Sequence, residues 1–232
     1  MELLLEGLKK AIEMILSGDR EILEITLLTL RVSITAVLIS TMIGLPAGML
    51  LGIARFPGRR LILALINIGM GLPPVVAGLW ITLFLWRSGP LGDLAWLYTP
   101  TAIIMAQILV SLPIVTALTS TAFQQINPKM ILQVKALGAT KLQLYWILMK
   151  EVKLAILAAI IAGFGRVIAE VGAAMMVGGN IKGYTRVLTT ATVMETGKGN
   201  FDIAMALGII LLLLAFMITA VLTRIQQRER PR

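Results

Sequence analysis

Two opposite charges stand inside one apolar run of this chain. Arg166 and Glu170 lie four residues apart in LAAIIAGFGRVIAEVGAAMMV. On a helix that spacing lets them pair. Counted from Leu154 at about 1.5 Å per residue, they sit roughly 18 and 24 Å into the run. A lone central charge costs at least about 2.5–3.5 kcal/mol on insertion scales. Two uses suit such a pair: a structural bond inside a bundle, or a switch whose contacts differ between two states. A direct anion site at Arg166 is disfavoured, because Glu170 would cancel its charge. Other chemistry is excluded by residue type. The chain has no cysteine and no histidine, so thiol catalysis, disulfides, Cys/His metal sites and histidine proton relays are absent. It has no Gly-x-x-x-x-Gly-Lys-Ser/Thr loop, so a partner must supply any energy from ATP. No catalytic residue, metal or cofactor is expected.

The elements around the pair are membrane helices. Of 232 residues, 58% are hydrophobic and 14% charged; soluble domains average about 25% charged. The composition therefore reads as an all-α membrane protein of one domain. Five apolar runs, roughly 25–53, 61–86, 100–123, 154–177 and 203–222, are each long enough to cross about 30 Å of hydrocarbon. Several contain breakers: Gly44 and Pro46, then Gly71, Pro73 and Pro74, then Pro113. These mark ordinary kinks, or bent helices lining a path. Before them, residues 1–24 place Leu4, Leu5, Leu8, Ile12, Ile15 and Leu16 at helical spacing. That is an amphipathic helix, lying in the membrane interface or on the protein's own flank.

Charge sets the orientation. Twelve cations fall on one side, in 55–60, 129–153 and 224–232, and seven on the other. The richer side is the cytoplasm by the positive-inside rule. The amino end is then outside and the residues after Leu222 inside, with 225–232 as a short tail. The net charge of +9 needs no nucleic acid to explain it. Arg31 is near the outer end of the first run, where it snorkels to headgroups or lines an electropositive vestibule. Thr116, Thr119, Ser120 and Thr121 read as helix-bonding hydroxyls rather than ligands.

The largest cytoplasmic piece, 124–153, predicts a helix, a glycine hinge and a second helix. Asn127-Pro128 starts the first and Gly138 ends it; Thr140 caps the second. Met130, Val134 and Leu137 share one face of the first. Tyr145 and Trp146 suit the headgroup belt. A short capped helix held at the membrane surface fits a partner's groove.

ALGATKLQLYW, in a large loop before the penultimate run, resembles the cytoplasmic signature loop of ABC importer permeases. Gly138 matches the signature glycine. The usual Glu-Ala-Ala is replaced by Leu132, Gln133 and Val134, and the usual Leu-Pro by Lys150 and Glu151. A second stretch, GRVIAEVGAAMMVGGNIKGYTRVL, resembles the permeases for molybdate, sulfate and tungstate. Arg166, Glu170, Gly172, Ala173, Gly179, Asn180, Ile181, Gly183 and Thr185 fill that pattern. From Ile25 on, the chain is most similar to the tungstate permease subgroup. The resemblance implies a type I ABC importer transmembrane domain over 25–224, with five spans plus the amino-terminal helix. It implies a homodimer with the path along its interface, two cytoplasmic ABC ATPase subunits below, and an extracytoplasmic tungstate- or molybdate-binding protein above. Met130, Val134, Lys135, Ala136, Leu137, Gly138, Ala139, Thr140 and Lys141 would couple to the ATPase. Pro73, Pro74, Pro113, Arg166, Glu170 and Gly172 would serve the path and its gating. Asn180, Lys182 and Arg186 would dock the binding protein. The competing classes are a stand-alone secondary transporter and a scaffold without transport. The absence of a second acid inside the runs speaks against proton coupling.

Overall fold

The computed structural model describes residues 2–228. Met1 and residues 229–232, including Arg230 and Arg232 of the basic tail, lie outside the described residues, as do the side chains of residues 2–6, 11 and 228, among them Leu4 and Leu5. The order is α1 (Glu2–Leu16), α2 (Arg20–Ile53), α3 (Arg59–Met70), α4 (Pro74–Leu85), a 3-10 turn (Gly92–Leu94), α5 (Pro100–Gln124), α6 (Pro128–Ala136), α7 (Lys141–Glu151), α8 (Lys153–Ile168), α9 (Gly172–Gly178), α10 (Leu188–Gly197) and α11 (Phe201–Arg228). Three of these, α2, α5 and α11, are long and apolar enough to cross a membrane alone. Two bent pairs, α3–α4 at 106° and α8–α9 at 59°, raise the number to five if each is one span. The run 61–86 is thus bent at its expected breakers, and the run 154–177, expected without a break, is broken as well.

Helix α2 has 34 residues, about 51 Å at 1.5 Å each, well beyond the hydrocarbon thickness. Its first turn is built for water. Asp19 caps it by accepting from Glu21 N at 2.8 Å, and Arg20 pairs with Glu24 at 2.9 Å. From Gly44 to Gly52, α2 lies close against α5. A Cβ at Gly44 would meet Thr116 Oγ1 at 2.9 Å, one at Gly48 the Thr116 carbonyl at 2.7 Å, and one at Gly52 Phe123 Cβ at 2.5 Å. The four-residue spacing puts all three on one face. On the same interface Ser111 Oγ donates to Gln107 O at 2.8 Å, so Ser40 donates to Ser111 at 2.6 Å. Pro46 and Pro113 lie within α2 and α5 without ending either helix.

The pair Pro73-Pro74 does end one. Two successive residues without an N–H, each steering its predecessor away from helical dihedrals, stop α3 at Met70 and restart the chain as α4. Gly69, just before this break, comes within 3.0 Å of Pro113 measured from a built Cβ. At the amino-terminal end, α1 lies against α11, with Gly7 closing on Met205. Leu8, Ile12, Ile15 and Leu16 of α1 remain exposed.

Candidate functional site

The two broken spans meet at their breaks. A Cβ on Gly172, the first residue of α9, would lie 2.8 Å from Val75 Cγ2, and one on Gly78 of α4 would lie 2.8 Å from Ala173 Cα. The structure thus brings Pro73, Pro74, Glu170 and Gly172 into one neighbourhood, with Pro113 close to the α3 side of it. Glu170 is 4% exposed. Its Oε1 accepts from Ala173 N at 2.8 Å, and its backbone carbonyl accepts from Thr189 Oγ1 at 2.9 Å. The carboxylate therefore caps α9, and its charge faces the free N–H groups of that helix. The hydroxyl of Thr189 ties the start of α10 to the same break.

The ion pair expected from the Arg166–Glu170 spacing is not made. Four-residue pairing needs a continuous helix, and α8 ends at Ile168. No Arg166 contact to a carboxylate within 4.0 Å is found among the described residues. Arg166 is exposed on α8, on a face with Ala155, Ala158, Ala162, Gly165 and Ala169. The chemistry also predicts different outcomes for two variants. Glu170→Gln keeps an oxygen for Ala173 N and is expected to stay near wild-type stability. Glu170→Ala strands that N–H and is expected to lose about 1–3 kcal/mol. Thermal unfolding in detergent reads the difference, and equal losses would remove the capping account.

The 124–153 segment folds as helix, glycine and helix. Asn127 Oδ1 accepts from Lys129 N at 2.9 Å. Gly138 adopts φ +81°, which a residue with a Cβ resists. Thr140 and Gln143 form a reciprocal capping box, with bonds of 3.3 and 2.8 Å. The faces divide differently from the sequence reading. Met130 and Val134, expected on the docking face, turn inward onto a cluster of Phe123, Ile126, Leu144 and Leu148. Leu132 and Leu137 point out instead, 65% and 87% exposed, beside exposed Lys135, Ala136, Gly138, Thr140 and Lys141 and half-buried Ala139. Leu132 is not among the expected docking residues, because it stands where the signature of the resembling permeases has a glutamate. On α7, Lys150 Nζ stacks over the Trp146 ring at 5.4 Å.

At the opposite end, GGNIKGYT is a tight loop. Gly179, Asn180 and Gly183 all have positive φ, and Thr185 Oγ1 accepts from Ile181 N at 2.9 Å. Lys182 and Arg186, expected to face a docking partner, both reach this chain's own Glu21, at 2.7 and 3.3 Å. Arg31 lines a cleft of about 660 Å³ together with Arg20, Glu21, Glu24, Lys182 and Arg186 among others. Nearby, bonds from Asn200 and Lys198 hold the Glu195 carboxyl below the usual glutamate range.

Broken, closely packed membrane helices above a capped two-helix loop define an importer-type transmembrane domain. The same fold occurs in a bacterial alginate ABC transporter solved with its alginate pentasaccharide-bound periplasmic protein: TM-score 0.74 over 89% of this chain and 78% of that one, at 18% identity. The chain belongs to the family described as binding-protein-dependent transport system inner membrane component, whose model matches residues 44–231. It is similar to the tungstate uptake system permease protein TupB of Peptoclostridium acidaminophilum, 39% identical over 98% of this chain and 100% of that protein. A probable anion ABC transporter permease protein of Haloferax volcanii is 37% identical over 89% of this chain and 91% of its own. The chain is thus a multi-pass membrane permease component rather than an enzyme.

Proposed function

We propose that this chain is the membrane-spanning subunit of an ATP-driven importer for a tetrahedral oxyanion, tungstate first among them. It works as a homodimer by alternating access. Two ATPase subunits dock on the α6–α7 loop at the cytoplasmic face, and an extracytoplasmic binding protein delivers the anion at the 179–200 end. The amino end is outside and the carboxyl end inside, a placement that the lysine and arginine distribution supports. The observation that carries the reading is the α6–α7 loop. Its geometry is set by two side-chain caps and a left-handed glycine, yet Leu132 and Leu137 stay mostly exposed. Exposed leucines on a short, capped helix offer the apolar anchors that a partner's groove takes. The full-length match to a tungstate permease supports the choice of anion. Motion transmitted through this loop reaches Phe123 of α5 through Met130 and Val134, and from α5 the breaks at Pro73-Pro74 and Glu170–Gly172.

The test is reconstitution with the cognate ATPase and binding protein in proteoliposomes. ATP hydrolysis is expected to rise with tungstate-loaded binding protein. Equal stimulation by molybdate or sulfate would widen the substrate to oxyanions in general. Uptake without any ATPase subunit would replace the reading with that of a secondary transporter.

A further inference from the structure

We infer that the Arg166 face of α8 meets the same face of a second copy, and that the two Arg166 guanidiniums together hold one tetrahedral dianion in transit. This rests on the homodimeric importer proposed above and names the site within it.

The argument starts from depth. Arg166 lies thirteen residues past Lys153, the first residue of α8, about 20 Å along the helix, in a hydrocarbon layer of about 30 Å. A guanidinium at that depth faces a bundle interior or a water-filled path, not acyl chains. Within one chain it faces neither, since it is exposed. The surface around it is bare. Ala155, Ala158, Ala162 and Gly165 are exposed on the same helix and Ala169 just past its end, and a Cβ built on Gly165 would meet nothing within 4 Å. Small residues let a second backbone come near or leave room for an ion.

Next comes the counter-charge. Among the described residues no carboxylate contacts Arg166. A second copy carries the same acids, and the apolar runs hold one, Glu170. That carboxylate is buried and bound to Ala173 N. Glu170 is therefore no direct partner of Arg166: its charge acts on the guanidinium only through space, and the N–H donors of Arg166 stay open in either copy. Two guanidiniums brought together across a twofold axis repel unless an anion lies between them. A tetrahedral dianion offers oxygens to both planar forks. Arg186 differs, because Glu21 already answers it. The site is incomplete in one chain and complete in two.

The chain has no cysteine, so Ala162→Cys introduces a single thiol per copy. In the complex reconstituted with ATPase and binding protein, a short bis-maleimide is expected to join the Cys-substituted chains. Arg166→Gln is expected to assemble, to respond to loaded binding protein, and to take up tungstate about tenfold more slowly, equivalent to about 1.4 kcal/mol in barrier. Arg166→Lys keeps the charge and is expected to lose less. Unlinked Ala162→Cys chains in an assembled complex, or wild-type uptake by Arg166→Gln, would overturn the site and leave the importer standing. Failure of the wild-type chain to recruit an ATPase or to take up tungstate would overturn the importer itself, and the site with it.

Discussion

A Leu132→Asp/Leu137→Asp chain is expected to insert and fold normally but to leave the membrane without its ATPase. Both side chains are mostly exposed, so neither substitution opens a cavity. Both sit on helix α6 or at its end, whose position the Asn127 cap and the Gly138 turn fix. An apolar anchor at the centre of an interface is worth about 2 kcal/mol or more, roughly thirtyfold in Kd. A buried aspartate adds desolvation to that loss. Affinity of the ATPase for the permease in nanodiscs measures the effect, with wild-type affinity as the result that would sink the docking assignment. Met130→Ala and Val134→Ala supply the contrast. These side chains pack inward beside Phe123 and Leu148, so their truncation lowers the unfolding temperature and leaves the exposed surface in place.

Gly48→Leu should separate α2 from α5. The first added atom would stand 2.7 Å from the Thr116 carbonyl and 2.7 Å from Thr119 Cβ. A backbone oxygen cannot rotate aside, so the helices themselves must part. That movement breaks the Ser40–Ser111 bond and opens the interface along Gly44 and Gly52. Overpacking costs about 1–3 kcal/mol in ordinary cores, and a backbone obstacle places this substitution at the upper end. Thermal unfolding in detergent, followed by size-exclusion chromatography, should show a fall of several degrees and a shift toward aggregate. Gly208→Ala is the matched control. Nothing lies within 4 Å of its added atom, so it gains helix propensity of about 0.8–1 kcal/mol without a clash. Equal behaviour of the two variants would mean that glycine contributes composition rather than close packing.

Much of this protein was legible in one dimension. Membrane class follows from composition, because the transfer free energy of a side chain is a property of that side chain. The caps at Asn127 and Thr140 and the stop at Gly138 are likewise local, set by bonds that span five residues or fewer. The family resemblance rested on such local patterns and held over nearly the full chain. Tertiary structure decided the rest. Gly44 and Pro46 read as breakers, yet α2 runs through them, because the glycines face α5 and the proline is accommodated within a packed helix. Pro73-Pro74 read the same way and does break the chain. Arg166 and Glu170 read as a pair, but a carboxylate between two half-helices has a nearer demand in the free N–H groups of α9. Met130 and Leu137 looked equivalent on one helical face until the packing of Phe123, Ile126, Leu144 and Leu148 chose which of them to bury. Periodicity states that a face exists; the neighbour that covers it is set by contacts distant in sequence, and no local rule contains them.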